Sequence, residues 1–333
     1  MRIFITGVAG FLGSHLADAM LADGHEVVGI DNLIGGELDN VPPKVEFHQI
    51  DCNDFEHVRR ISQGCEIFYH CAATAYEGLS VFSPHIVTQN IVSASVSIFS
   101  AAISNKCKRI VFCSSMARYG ALAPPFHEGQ TPKPQDPYGI GKLAAEDILR
   151  NLCETHNIEY VIAVPHNIIG PRQKYDDPFR NVASIMINLM MQNRQPVIYG
   201  DGAQQRCFSF IDDCLFCLKA MAFQDNVLGQ VINIGPDEEI VTILDLATRI
   251  ANQLRFNLDP IFLTGRPQEV KHAICSSEKA RALLDYKTTV SLDDGLTQMI
   301  DYIRVKGVRQ FKYHIDLEIV SELTPKTWTQ RLF

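Results

Sequence analysis

The sequence predicts an α/β protein, a doubly wound parallel sheet with a smaller, discontinuous C-terminal lobe. Three observations carry this prediction: short β-branched runs alternate with longer helical patterns, a glycine-spaced turn directly follows the first run, and the rhythm changes after Gly170. The runs at 2–6, 26–30, 45–50, 66–71, 110–114 and 160–164 are short and rich in apolar and β-branched residues, as strands covered on both faces are. Helical segments between them make the sheet parallel. Ligands of such a sheet gather at the carboxyl ends of its strands.

Two long apolar patterns, 84–104 and 141–156, read as helices packed on two sides, and the expectation is that they form a homodimer face. Beyond Gly170 come Pro171, a charged segment at 172–180, a helix over 182–193, a strand at 231–234 and a helix after Thr242. A basic and aromatic tail follows from 304 to 333. The division expected is a dinucleotide-binding domain at 1–168 with a return segment at about 205–240, and a substrate-binding lobe from 169–204 and 241–333.

Composition limits the function classes. A chain of 333 residues with 46% hydrophobic and 20% charged residues has the makeup of a globular protein. Its net charge of -8 argues against nucleic acid as a partner, because phosphate-backbone affinity needs clustered Lys and Arg. The sequence shows no apolar run near the ~20 residues of a membrane span and no leader before the first strand, so no membrane association and a cytoplasmic location are expected. Of ten cysteines, Cys71, Cys113 and Cys153 sit in apolar runs and read as buried free thiols. Cys214 and Cys217 have metal or redox spacing but no second pair or nearby histidine, so no metal site is expected.

After the first strand, Thr6-Gly7-Val8-Ala9-Gly10-Phe11-Leu12-Gly13 forms a G-x-x-G-x-x-G turn opening a helix. Absent side chains let backbone approach a pyrophosphate, and the unpaired N–H groups of the helix favour its charge. The second strand leads into Asp31, 18 residues past Gly13, where a carboxylate can accept from both adenosine ribose hydroxyls. No arginine follows among Asn32, Leu33, Ile34 and Gly35 to neutralise a 2'-phosphate, so NAD is favoured over NADP. The domain is thereby Rossmann-type. Asp51 and Cys52 end the third strand, where they would face the adenine edge or shape a turn.

Tyr138-Gly139-Ile140-Gly141-Lys142 sets a phenol and an ammonium four residues apart on one helix face. A free tyrosine titrates near ~10, so it needs nearby positive charge to act as a base at neutral pH. Lys142 and an oxidised nicotinamide are the expected sources. The strand before it leads into Ser114-Ser115-Met116, and Ser115 is the better placed hydroxyl to hold the reacting oxygen.

These residues together resemble the extended short-chain dehydrogenase/reductase family, in its nucleotide-sugar epimerase and dehydratase branch. The resemblance covers nearly the whole chain. It rests on Thr6 to Gly13, Asp31, His70-Cys71-Ala72-Ala73, Asn90, Ser114-Ser115, Tyr119-Gly120, Tyr138 to Lys142, and Pro165-His166-Asn167-Ile168-Ile169-Gly170-Pro171. It implies that Ser115, Tyr138 and Lys142 are catalytic. Ala72, Ala73, Asn90 and Pro165 would line the dinucleotide, Pro165 beside the nicotinamide. Asn167 would meet the sugar or its diphosphate. Gly200-Asp201-Gly202 with Arg206, and Arg266-Pro267-Gln268-Glu269, look like the segments that bring two arginines to the diphosphate and an acid to the uridine ribose.

The branch's 4,6-dehydratases follow the Ser or Thr with Asp-Glu, whereas this chain has Met116-Ala117, which cannot transfer a proton. The pattern is therefore most similar to bacterial UDP-glucose or UDP-N-acetylglucosamine 4-epimerases. In these, the tyrosine takes the 4-hydroxyl proton, NAD takes the C4 hydride, and the bound 4-keto sugar turns before hydride returns. A UDP-N-acetylglucosamine 5,6-dehydratase, a UDP-glucuronate 4-epimerase or decarboxylase with Arg118 as its extra cation, and a non-catalytic sensor are the alternatives. Thr74, Tyr76, Met116, Arg118 and His166 are the candidate walls of the sugar pocket.

Overall fold

The computed structural model describes residues 1–333. Its main sheet has seven parallel strands. In chain order these are β1 (Arg2–Thr6), β2 (Glu26–Ile30), β3 (Glu46–His48), β4 (Ile67–His70), β5 (Arg109–Cys113) and β6 (Glu159–Pro165), with Val231–Ile234 joining last. Across the sheet the order is Val231–Ile234, β6, β5, β4, β1, β2, β3. The winding direction reverses between β1 and β4, and this switch point opens a crevice at the strands' carboxyl ends. β4, β5 and most of β6 are buried on both faces, which is why these strands read as continuous apolar runs rather than as alternation.

One face of the sheet packs on helices Phe55–Ile61, Pro84–Ser104 and Pro137–His156 through Ile98, Phe99, Ala145 and Leu149. The 84–104 helix holds a π turn at Gln89–Ser93. Its 21 residues are long and apolar enough by length and composition to cross a membrane, which corrects the expectation that no such segment exists. Here its apolar side chains cover the sheet. The helix at Tyr138 starts four residues before the expected Gly141, because Asp136 caps it by accepting from Gly139 N at 2.9 Å and Pro137 occupies its first turn. The other face carries Phe11–Ala22 and Ile211–Phe223.

The lobe is held by a separate cluster uniting Val182–Met191, Ile243–Leu254 and Leu292–Lys306 through Met186, Leu246, Ile250, Leu296 and Ile300. Two boundaries differ from the expected division. Gln205–Arg206 pairs with Val241–Thr242 and His272–Ala273 in a small lobe sheet, so the return to the main domain starts after it. Residues Ala280, Leu284 and Tyr286, assigned by sequence to the lobe, pack against the main-domain core. Short amphipathic pieces of this kind show no preference for either domain until the chain is folded.

Candidate active site

A cavity of about 480 Å³ runs along the switch point and under the lobe. The glycine turn lines it. Gly7 has φ +71°, in the left-handed region, and a Cβ there would press on the backbone of Ala72 at 3.0 Å. A Cβ at Gly13 would overlap the carbonyl oxygen of Gly7. The three glycines therefore leave a side-chain-free cradle at the start of Phe11–Ala22, whose first turn carries no acidic residue and no side-chain cap. That arrangement suits a pyrophosphate.

Thr6 ties this cradle to the exit of β4. Its hydroxyl accepts from the N–H groups of Cys71 (3.1 Å) and Ala72 (3.0 Å) and meets His70 Nδ1 at 2.8 Å. Burial lowers the His70 pKa to about 3, so the ring is a neutral structural bridge, completed by Ser95 at 3.0 Å.

Asp31 accepts from Ala9 N at 3.1 Å and Leu33 N at 2.8 Å, and burial raises its pKa against those bonds. The Asp51 oxygens are engaged by Asn53 and by Asn32 Nδ2 at 2.7 Å. These bonds outweigh burial and depress its pKa. Asp51 thus shapes the turn at the cavity rim, beside Cys52. An arginine that the local sequence did not offer also reaches this cavity. Arg180 lies so near Gly35 that a Cβ there would strike its guanidinium. It is, however, paired with Asp177 at 3.3 Å and stacked on Tyr76 at 4.8 Å.

Ser115, Tyr138 and Lys142 line the same cavity. The Ser115 hydroxyl accepts from Ala117 N at 3.2 Å. Lys142 Nζ donates to the Cys113 carbonyl at 2.7 Å. Burial lowers its pKa to about 8. Burial also pushes Tyr138 well above the ordinary phenol range, with Ser115 opposing weakly. The expected phenolate is therefore not the resting state of the chain alone, because burial outweighs nearby positive charge. Behind these groups Glu146, fully buried, accepts from Ser114 Oγ at 2.5 Å and pairs with Arg118 and Arg150 at 3.0 Å each.

Every dinucleotide residue expected from the sequence lines this cavity: Gly7, Gly10, Phe11, Leu12, Gly13, Asp31, Asn32, Asp51, Cys52, Ala72, Ala73, Asn90, Tyr138, Lys142 and Pro165. So do the expected substrate residues Thr74, Met116, Asn167, Arg206, Arg266 and Glu269. Asn90, within the π turn, donates to Thr74 Oγ1 at 2.9 Å. Asn167 gives its amide to the Cys207 carbonyl at 2.9 Å. Arg266 lies over the Tyr199 ring at 4.8 Å and is held by Glu269 at 2.8 Å, while its buried Nε has no partner. The unpartnered donor fits an anionic ligand.

Two wall candidates do not reach the cavity. Arg118 is turned into the interior by the 3-10 turn at Met116–Arg118 and spent on Glu146. His166 is fully buried against the Pro236 carbonyl at 3.0 Å. Conversely, Glu77, Tyr199, Trp328 and Phe333 line the cavity unanticipated. Trp328 is the single tryptophan and packs on Phe82 and Phe179. No local pattern in the sequence signals that it meets residues about 150 and about 250 positions earlier.

Residues 3–235 match the NAD dependent epimerase/dehydratase family. The chain is 30% identical over 318 residues to a UDP-glucose 4-epimerase of Mycolicibacterium smegmatis, covering 92% of this chain and 100% of that one. Among solved structures it resembles the UDP-glucose 4-epimerase of Thermotoga maritima bound to UDP-glucose (27% identity, TM-score 0.87, 92% and 99% of the chains). It also resembles the UDP-glucuronic acid 4-epimerase of Bacillus cereus bound to UDP-glucuronic acid and NAD (30% identity, TM-score 0.86, 92% and 100%). In sequence, sheet order and cradle alike, the chain belongs to the NAD dependent epimerase/dehydratase family.

Proposed function

We propose that the protein is a UDP-sugar 4-epimerase of the UDP-glucose or UDP-N-acetylglucosamine type, acting through a transient 4-keto sugar. One observation carries this reading. A single cavity is lined by the glycine cradle, by Ser115, Tyr138 and Lys142, and by Arg206 with Arg266.

The cradle, Asp31 and Pro165 are the residues that would hold NAD, which, when bound, supplies a hydride acceptor and positive charge beside Tyr138. Ser115 orients the reacting hydroxyl. Tyr138 receives the hydroxyl proton once the Lys142 ammonium and its surroundings offset the burial that keeps the phenol protonated. Arg206 and Arg266 grip the diphosphate through several fixed donors each, leaving the hexose free to turn. Met116 and Ala117 give this site no proton donor of the kind that expels a C6 hydroxyl.

Ten free cysteines suit a reducing compartment, and the exposed Ile140 on the helix Pro137–His156 suits a subunit contact. The same reading therefore includes a cytoplasmic homodimer, tested by sedimentation. The function is tested by incubating NAD-loaded protein with a UDP-sugar panel and analysing products by NMR and mass. A C4-inverted product of unchanged mass is expected, and loss of water or of carbon dioxide would overturn the reading.

A further inference from the structure

Glu77 follows the β4 exit and opens the one-turn helix Glu77–Ser80. It lines the cavity, and neither of the branch motifs read from the sequence includes it. The other cavity acids are committed. Glu269 is held by Arg266, Asp31 accepts two backbone N–H groups, and Asp51 is engaged by Asn32 and Asn53. Glu77 is acted on only by burial and by charges through space, from Asp136, Arg206, Arg266 and Glu269. On its other side it acts on Tyr138. The next residue, Gly78, lies so close to Arg266 that a Cβ would stand 3.2 Å from Nη1. Glu77 therefore shares one cavity with Tyr138, Arg206 and Arg266 and is the chain neighbour of a residue that abuts Arg266, a position from which it can meet a hexose.

We propose that Glu77 is a specificity-determining residue, whose carboxylate accepts hydrogen bonds from the hydroxyls of an uncharged hexose and repels a hexose carrying a carboxylate. The proposal rests on the UDP-sugar reading of the cavity. A hexose hydroxyl gains a charge-assisted bond there. A uronate brings a second negative charge into an enclosed space where water screens poorly. The cations that could offset it are occupied: Arg206 and Arg266 by the diphosphate, Arg180 by Asp177, and Arg118 by Glu146. Burial, aided by Asp136, pushes the Glu77 carboxyl up to about 7, so the repulsion should grow as pH rises through that value.

The test is calorimetric binding of UDP, UDP-glucose and UDP-glucuronate to the NAD-loaded protein and to its Glu77→Gln variant. The wild type should bind the glucuronate at least about tenfold more weakly than the glucose, and the variant should cut that ratio to about threefold or less. In the wild type the ratio should widen between about pH 6 and about pH 8, since the uronate carboxyl is ionised throughout. Asp136, Glu269, Arg206, Arg266 and Tyr138 are the other ionisable groups facing Glu77. Lys142, whose ammonium is lost near pH 8, also lines the cavity, so the pH series is repeated on Lys142→Met, where the widening should persist, and that series decides the matter even if Glu77→Gln fails to fold. An equal affinity for both sugars, or a ratio indifferent to pH and to the substitution, overturns the proposal while UDP still binds. No binding of UDP overturns it together with the UDP-sugar reading.

Discussion

Lys142 donates a hydrogen bond from its ammonium to the carbonyl oxygen of Cys113 at 2.7 Å, fastening the Tyr138 helix to the end of β5. The bond fixes the cation under the cavity floor, and burial makes that cation easy to lose. Its pKa falls to about 8. The ammonium is thus present below about pH 8 and absent above it, and the support it gives the phenolate goes with it. We expect kcat/KM for epimerisation to fall as pH rises through about 8, and Lys142→Met to be slow at every pH with that limb gone. A pH–rate profile of both proteins checks this.

Tyr138→Phe keeps the ring and removes the hydroxyl that faces Ser115. Turnover should fall by about 10²- to 10⁴-fold, the usual worth of a positioned acid or base. UDP affinity should change little. Single-turnover kinetics alongside a UDP titration separate the two effects.

Gly13→Ala drives a methyl group into the Gly7 carbonyl, which must move together with the cradle. A cost of about 1–3 kcal/mol in stability is expected from overpacking, with a marked loss of NAD affinity. Thermal denaturation with and without NAD measures both, and the stabilisation that NAD confers should shrink more than the Tm of the chain alone.

Arg266→Gln removes a cation from the cavity and frees Glu269. Hydrogen bonds to charged groups contribute about 1.5–3 kcal/mol, so the Kd for UDP should rise by roughly 10- to 150-fold. NAD affinity should hold, because Arg266 is no part of the cradle. Paired titrations with the two ligands check this.

Trp328→Ala empties the centre of the cluster formed with Phe82 and Phe179. Such a truncation in a core costs about 3–5 kcal/mol. A lowered Tm is expected, along with weakened discrimination among UDP-sugars, read by urea unfolding and by competition binding.

How much of this was legible in the sequence depends on the range over which each signal acts. The glycine turn, Asp31 and the Tyr138–Lys142 spacing are local patterns whose backbone requirements leave few alternatives, and all of them meet in one cavity. Arg118 misleads for the same reason: it is a neighbour of Ser115 along the chain, but one tight turn sends it to Glu146. Glu77 follows a recognisable strand exit, yet only folding shows that nothing neutralises it. Arg180 and Trp328 reach the cavity by tertiary closure alone, and no spacing in the chain foretells that. The rise that burial imposes on the Tyr138 phenol is not legible in the sequence, because charge can be counted from sequence whereas desolvation cannot.

The order of parts along the chain also fixes the order in which the ribosome delivers them. All the cradle and proton-transfer residues, from Gly7 to Pro165, precede Tyr199, Arg206, Arg266 and Trp328. A nascent chain therefore emerges with its dinucleotide contacts already synthesised and with the pocket's outer wall still to come. The wall formed by Tyr199, Arg206, Arg266 and Trp328 is the last part of the cavity that translation supplies.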